Sequence, residues 1–137
     1  MLSFLDTNIL VYTDDGDEPS KQAVALDLLE RLHSTNEGVL STQVLTEYFH
    51  AVTRKLGVEA SIARRKVEIL SHFRLVAVGL DVILGAIDLH RLHQLSIWDS
   101  LIVKAAGAAG CRELLTEDLQ HGQIIDGLRI CNPFLPD

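Results

Sequence analysis

Four acidic residues, Asp6, Glu47, Asp99 and Asp118, occupy sequence settings that could gather them at one point. A gathered set of carboxylates suits hard divalent cations such as Mg²⁺ or Mn²⁺, whose usual work is phosphoryl chemistry. Asp6 ends the apolar run Leu2-Ser3-Phe4-Leu5, a buried-strand pattern, and Asp6-Thr7-Asn8 offers side-chain acceptors to the first free amides of a following helix. Glu47 shares a line with Val44 and Ala51, at the border of an amphipathic stripe made by Leu45, Tyr48, Phe49, Val52 and Leu56. Asp99 closes Ser96-Ile97-Trp98-Asp99, the S-x-x-D form of a capping box. Asp118 lies just beyond the strand-like Glu113-Leu114-Leu115-Thr116. Singly, each acid has a plain structural explanation as a cap, a face-border carboxylate or a loop residue. Together they are harder to dismiss. Two carboxylates about 4 Å apart repel by roughly 4 kcal/mol at an effective dielectric of about 20, so a cluster persists only with cations or protons.

Whether the acids meet depends on the elements that carry them, and the chain alternates strand-like with helix-like segments. The acidic loop Asp14-Asp15-Gly16-Asp17-Glu18 ends in Pro19, suited to a helix start, and Ala25, Leu28, Leu29 and Leu32 keep helical spacing until Asn36-Glu37-Gly38. Val39-Leu40 reads as a second strand, after which Ser41 and Thr42 offer caps to the helix that carries Glu47 and that Gly57 closes. Ala60 to Leu70 reads as a shorter basic helix and Leu75-Val76-Ala77-Val78 as a strand. Leu80, Ile83, Leu84 and Ile87 read as the buried stripe of a helix that fades near Leu95. Leu101 to Ala109 is almost wholly apolar, which predicts a helix buried on most sides and ended by Gly110. Glu117 to Gly122 reads as a polar loop and Leu128-Arg129-Ile130-Cys131 as the last strand.

This alternation predicts an α/β fold with a mainly parallel five-stranded sheet covered by helices on both faces. In right-handed crossovers, strand C-termini and helix N-termini share one edge of such a sheet, where open α/β sheets keep their ligands. Asp6, Glu47, Asp99 and Asp118 all map to that edge.

Composition narrows the class. The 137 residues, 47% hydrophobic and 23% charged, suit one globular domain over residues 1–137. Asp6 interrupts the N-terminal apolar run before signal-peptide length, and no stretch approaches the roughly 18 to 20 apolar residues of a membrane span. A cytoplasmic protein without membrane association is expected. Cys111 and Cys131 lie in no zinc or CxxC spacing and read as free thiols. A formal charge of −7 argues against a nucleic-acid partner. Carboxylates in a metal site, however, count in that sum while presenting bound cations to a phosphate. Arg54, Lys55, Arg64, Arg65 and Lys66 concentrate five of the 12 basic residues in one region, a candidate RNA-steering patch whose plainer reading is a solvated helix face. No GxGxxG or P-loop follows the first strand, which removes the usual dinucleotide and NTP readings. His90 and His93, three apart on a helix, read more plainly as surface or partly buried histidines, and His121, near Asp118, is the one histidine with a functional reading.

The segments Leu5-Asp6-Thr7-Asn8-Ile9-Leu10, Thr46-Glu47, Trp98-Asp99-Ser100-Leu101-Ile102 and Leu115-Thr116-Glu117-Asp118-Leu119-Gln120-His121-Gly122 resemble the successive acidic motifs of PIN-domain nucleases. The resemblance spans nearly the whole chain and is greatest to the small VapC-like ribonuclease toxins of bacterial toxin-antitoxin pairs. It implies a three-layer α/β/α fold with strand order 3-2-1-4-5, Mg²⁺- or Mn²⁺-dependent endonucleolytic cleavage of RNA, a homodimer and a cognate antitoxin partner. It makes Asp6, Asp99 and Asp118 metal holders, has Glu47 place the attacking water, and gives supporting roles to Asn8 and Thr116. The fourth acid varies most in such proteins, and Glu117 and Asp126 are neighbours that could replace Asp118. An acid after the first strand also fits an aspartate-phosphorylated signalling module or an aspartyl-nucleophile phosphatase. The phosphatase pattern has a second acid where this chain has Asn8, and the signalling pattern a lysine where it has Asn132-Pro133. An inactive PIN-like interaction module is the remaining alternative, and the retention of four acids weighs against it.

Overall fold

The computed structural model describes residues 1–136. Its helices flank one sheet built from β1 (Ser3–Leu5), β2 (Gly38–Ser41), β3 (Arg74–Val76), β4 (Glu113–Leu115), β5 (Ile124–Ile125) and β6 (Leu128–Cys131). The helices are α1 (Thr7–Tyr12), α2 (Pro19–Thr35), α3 (Thr42–Lys55), α4 (Ala60–Leu70), α5 (Leu80–His93) and α6 (Ile97–Ala108). Strands lie in the order β3-β2-β1-β4-β6-β5, and every pairing is parallel except β5 with β6. β1 is central, with Phe4 opposite Val39 on one side and Leu114 on the other. Both β1 and β2 are buried along their whole length, the pattern of parallel strands covered on both faces.

The sheet has six strands where the sequence suggested five. The expected order describes β3-β2-β1-β4-β6, and β5 adds an antiparallel edge through the turn Asp126-Gly127. Both turn residues have positive φ, 51° and 80°, as a two-residue hairpin loop matched to strand twist requires. An Asp-Gly pair between Ile125 and Leu128 is the sequence signal for that hairpin. The strand expected at Leu75 to Val78 is shorter and begins one residue earlier, at Arg74.

Local chemistry fixes the helix starts that matter for the edge. The Asp6 carboxylate accepts the Thr7 amide at 2.7 Å, the Ser41 hydroxyl accepts the Val44 amide at 3.3 Å, and the Ser96 hydroxyl accepts the Asp99 amide at 3.0 Å. Each bond satisfies a helix N-H that would otherwise be free. α6 buries Leu101, Ile102, Val103, Ala105 and Ala106 and lies against β2, β4 and β6, as its apolar sequence predicts.

α5 departs from expectation. Its buried residues are Ala86 and Leu89, with Val82 partly buried, while Leu80, Ile83, Leu84 and Ile87 face outward. The helix is apolar on more than one side, so periodicity marks two lines. The line carrying small residues packs closest to α6, where Gly85 lies beside the Lys104 stem. Among the described residues no helix is long and apolar enough to cross a membrane. Cys111 and Cys131 are both free and half-buried.

Gly38 opens β2 beneath the Phe73 ring, where an added Cβ would meet ring carbons at 2.7 and 2.8 Å and the Leu32 Cβ at 3.1 Å. Phe73 is buried and the Leu32 contact belongs to α2, so neither neighbour can move freely. Gly38→Ala should therefore lower unfolding stability by about 1–3 kcal/mol through overpacking, measured by denaturant titration.

Candidate active site

At the C-terminal edge of the sheet, Asp6, Glu47, Asp99 and Asp118 line one open cleft of about 940 Å³. Asp6 follows β1, Glu47 lies in the second turn of α3, Asp99 lies in the first turn of α6, and Asp118 follows β4. These are the strand ends and helix beginnings that parallel topology puts on one side.

Asp6 is only 5% exposed, and its two oxygens are held by different groups. One accepts the Thr7 amide, and the other accepts the Thr116 hydroxyl at 2.7 Å. The fully buried Thr116 hydroxyl is a junction. While donating to Asp6, it accepts the Asp118 amide at 3.1 Å and the Asn8 side-chain amide at 3.2 Å. Asn8 in turn donates to an Asp118 carboxylate oxygen at 3.0 Å, and its own oxygen accepts the Glu117 amide at 3.4 Å. Asn8 and Thr116 thus tie the residues after β1 to the loop after β4.

Glu47 is fixed by two side chains that sequence reasoning did not single out. The Thr7 hydroxyl donates to one of its oxygens at 2.8 Å, and the Gln43 amide reaches the other at 3.5 Å. Gln43 lies one helical turn before Glu47, so an i, i+4 pairing was the available signal. The same amide donates to the Trp98 carbonyl at 3.1 Å, which joins α3 to the start of α6.

Electrostatics separates these acids from their neighbours. Burial pushes the Asp6 carboxyl up to about 6; the bonds from Thr116 and Thr7 oppose that rise, and the charges of Asp118 and Asp99 add to it. Asp99 is also raised, chiefly by burial and then by Asp118, against the lowering effect of the Ser96 hydroxyl. Among the described residues, none of the four cleft acids has a cationic side chain within 4.0 Å, whereas nearby acids do. Glu117 pairs with Lys21 at 2.9 Å and accepts the Tyr12 hydroxyl, and the Tyr12 ring meets Phe134 edge to face. Asp126 pairs with Lys104 at 2.8 Å in the β5–β6 turn and does not line the cleft. Of the three acids considered for the fourth position, only Asp118 faces the cleft without a counter-ion. Nothing in the sequence pointed to Lys21, which is 96 residues from its partner.

The basic residues are divided. Lys55 lines the cleft with His50. Arg64 and Arg65 both approach Glu68 on their own helix, at 2.6 and 3.7 Å. Lys66 turns inward to Asp14 at 3.3 Å and Thr13 at 3.0 Å, where Asp14 also accepts the Tyr48 hydroxyl at 2.5 Å. Arg54 is exposed in the last turn of α3. His121 accepts the Asn132 amide at 3.0 Å and lies outside the cleft lining.

Among the described residues no three His, Cys, Asp or Glu side chains are already arranged to enclose a metal ion. The donor set nevertheless fits Mg²⁺ or Mn²⁺. It consists of carboxylate oxygens that repel one another without a protein cation, and Mg²⁺ is ordinarily held by one or two carboxylates while keeping several waters.

The PIN domain family model matches residues 3–125, and the chain belongs to that family. Several solved structures share the fold. A toxin-antitoxin complex from Klebsiella pneumoniae is 21% identical, covering 96% of this chain and 97% of that one, with a TM-score of 0.73. VapBC2 from Rickettsia felis, bound to a DNA fragment from its promoter, is 24% identical over 95% and 97%, with a TM-score of 0.69. VapC20 of Mycobacterium tuberculosis, a Sarcin-Ricin loop cleaving toxin, is 21% identical over 85% and 89%, with a TM-score of 0.67. A search of curated protein sequences gives no significant match.

The buried Asp6 carboxyl holds its proton more tightly in the folded chain than at its ordinary value of 3.8. Its burden on stability is therefore absent below about pH 4, grows as pH rises toward 6, and is complete above that. With EDTA present at pH 8, Asp6→Asn should melt roughly 5 °C above wild type, and the gap should close toward pH 4. Thermal unfolding across that pH range measures it.

Proposed function

We propose that this protein is a metal-dependent endoribonuclease, the toxin of a toxin-antitoxin pair. The observation that carries the reading is the convergence of four carboxylates from four separate elements on one open cleft, without a protein cation, in a PIN-domain chain. Neighbours that are toxin-antitoxin complexes, and one that cleaves the Sarcin-Ricin loop, support it. Asp6, Asp99 and Asp118 would hold the ion. When bound, Mg²⁺ or Mn²⁺ supplies charge neutralisation at the phosphoryl oxygens and lowers the pKa of the attacking water.

The chain's own residues do the positioning. Glu47, held by Thr7 and Gln43, presents a fixed carboxylate oxygen that orients the attacking water and takes its proton. Water adds to phosphorus, the bond to the 3′ oxygen breaks, and the products carry a 5′-phosphate and a 3′-hydroxyl. Asn8 and Thr116 keep Asp6 and Asp118 from turning away as the charge in the cleft changes. Of the basic patch, Lys55 is placed to meet a phosphate in the cleft, while Arg54, Arg64 and Arg65 offer longer-range attraction. Lys66 contributes less because Asp14 already neutralises it.

The reaction tests the reading. Purified free of any inhibitor, the protein should cut RNA endonucleolytically with Mg²⁺ or Mn²⁺, EDTA should stop it, and the ends should carry 5′-phosphates. Glu47→Gln should reduce kcat by about 10²- to 10⁴-fold with little change in RNA affinity. Cyclic-phosphate ends would instead mean attack by the RNA's own 2′-hydroxyl and would sink the mechanism.

A homodimer and an antitoxin partner belong to the same proposal. The outward line Leu80, Ile83, Leu84 and Ile87 on α5 is the surface a second copy would cover. Leu84→Glu should shift the protein from dimer to monomer in sedimentation without loss of helix content. A wild type that sediments as a monomer would count against this assignment.

A further inference from the structure

Lys21 breaks a local rule. It is the third residue of α2, and a cation in the first turn of a helix stands at the positive end of the helix dipole, where an acid is favoured. Tertiary contacts hold it there. Its ammonium donates to one Glu117 carboxylate oxygen at 2.9 Å and to the Tyr12 hydroxyl at 3.2 Å, and it lies 4.9 Å from the centre of the Tyr12 ring and 5.6 Å from that of Phe134. The Tyr12 hydroxyl donates to the other Glu117 oxygen, so both oxygens are taken. Glu117 lines the cleft and shares a peptide bond with Asp118, which is treated differently. Asn8 donates to one Asp118 oxygen, and among the described residues the other accepts no hydrogen bond.

The loop that carries both acids is also held at its far end. His121 accepts the Asn132 amide at 3.0 Å, the Asn132 side chain accepts the Phe134 amide at 3.0 Å, and the Phe134 ring meets Tyr12 with centroids 5.1 Å apart. Tyr12 and Lys21 on Glu117 close the circuit. A partly exposed ion pair adds little to stability, so the consequence of this frame lies at the cleft.

We propose that Lys21 is a positioning residue that keeps Glu117 off the divalent cation, leaving Asp118 as the one of these two adjacent carboxylates that holds it. The proposal rests on the metal-dependent reading of the cleft and deepens it by naming the residue that chooses between the ligands. Asp and Glu offer a hard cation the same kind of oxygen, so ligand type does not separate them. Their partners do. Glu117 can reach an ion only by giving up the Tyr12 bond and a charge-assisted bond from Lys21, which is among the stronger kinds. Asp118 gives up nothing, because Asn8 fixes one oxygen and leaves the other open.

Binding of Mn²⁺ alone, measured by isothermal titration calorimetry on the full chain with folding checked by circular dichroism, reads this choice without the reaction. Asp118→Asn should weaken Mn²⁺ binding by about 10- to 100-fold in the otherwise native chain, but by less than about 3-fold alongside Lys21→Met, where Glu117 takes over as ligand. Glu117→Gln should show the reverse, staying within about 3-fold of wild type alone and losing about 10-fold or more alongside Lys21→Met. An equal cost of Asp118→Asn in both backgrounds would make Lys21 a structural tie and overturn the proposal while leaving the metal-dependent reading intact. If Lys21→Met does not fold, Glu117→Gln alone still decides, since a loss of Mn²⁺ affinity matching that of Asp118→Asn would overturn the proposal. Folded wild type that binds no Mn²⁺ would overturn both.

Discussion

A carboxylate buried at the end of a central strand is the constraint on which the rest of this structure depends. Asp6 is desolvated because β1 lies between β2 and β4, and desolvation is what lifts its proton affinity. An ionised group there is tolerable only if its oxygens are bonded, which the Thr7 amide and the Thr116 hydroxyl accomplish. Those bonds also serve folding: one starts α1, and the other ties β1 to the residue after β4. The same atoms therefore cap a helix, close the sheet edge and aim a carboxylate into the cleft.

Around that point the protein sorts its acids into two kinds. Glu117, Asp14 and Asp126 each have a lysine partner, so their charges are settled within the chain. Among the described residues, Asp6, Glu47, Asp99 and Asp118 receive hydrogen bonds or stand open to the cleft, but none has a cationic side chain within 4.0 Å. Hydrogen bonds fix where a carboxylate oxygen points without cancelling its charge. A site built that way keeps its attraction for an external cation while its geometry is set in advance. The excess of 19 acidic over 12 basic residues is thus compatible with a phosphate substrate, because the acids left without a lysine partner at this edge would meet a metal and not the phosphate.

The cleft's second component is apolar and aromatic. Glu47 and the start of α6 are linked through one Gln43 amide, which reaches a Glu47 carboxylate oxygen and the Trp98 carbonyl. Precision at a bond-making centre depends on such supports, since small displacements of a reacting group cost rate steeply. α5 and α6 also divide their labour. α6 is consumed by the sheet, which leaves the outward line of α5 as apolar surface that this chain does not cover itself.

The alternation of strands and helices, the caps at Asp6, Ser41 and Ser96, and the edge to which four acids map were legible in the sequence. They follow from local rules, periodicity and helix-end chemistry, and from the handedness of parallel crossovers. The hairpin at Asp126-Gly127 was missed in the sequence despite its turn residues, because the strand it adds is only two residues long. The outward line on α5 was misread because a helix apolar on more than one side has no unique stripe, and only the position of α6 decides which side is buried. What no local pattern carries is pairing across distance. Lys21 to Glu117, Thr7 to Glu47 and Asn8 to Asp118 join residues 96, 40 and 110 positions apart. Among the described residues, the Lys21–Glu117 and Lys104–Asp126 pairs decided that Asp118 is the one of Glu117, Asp118 and Asp126 left without a counter-ion at the cleft. A charge's partner is set by three-dimensional proximity, which the sequence determines only through the completed fold.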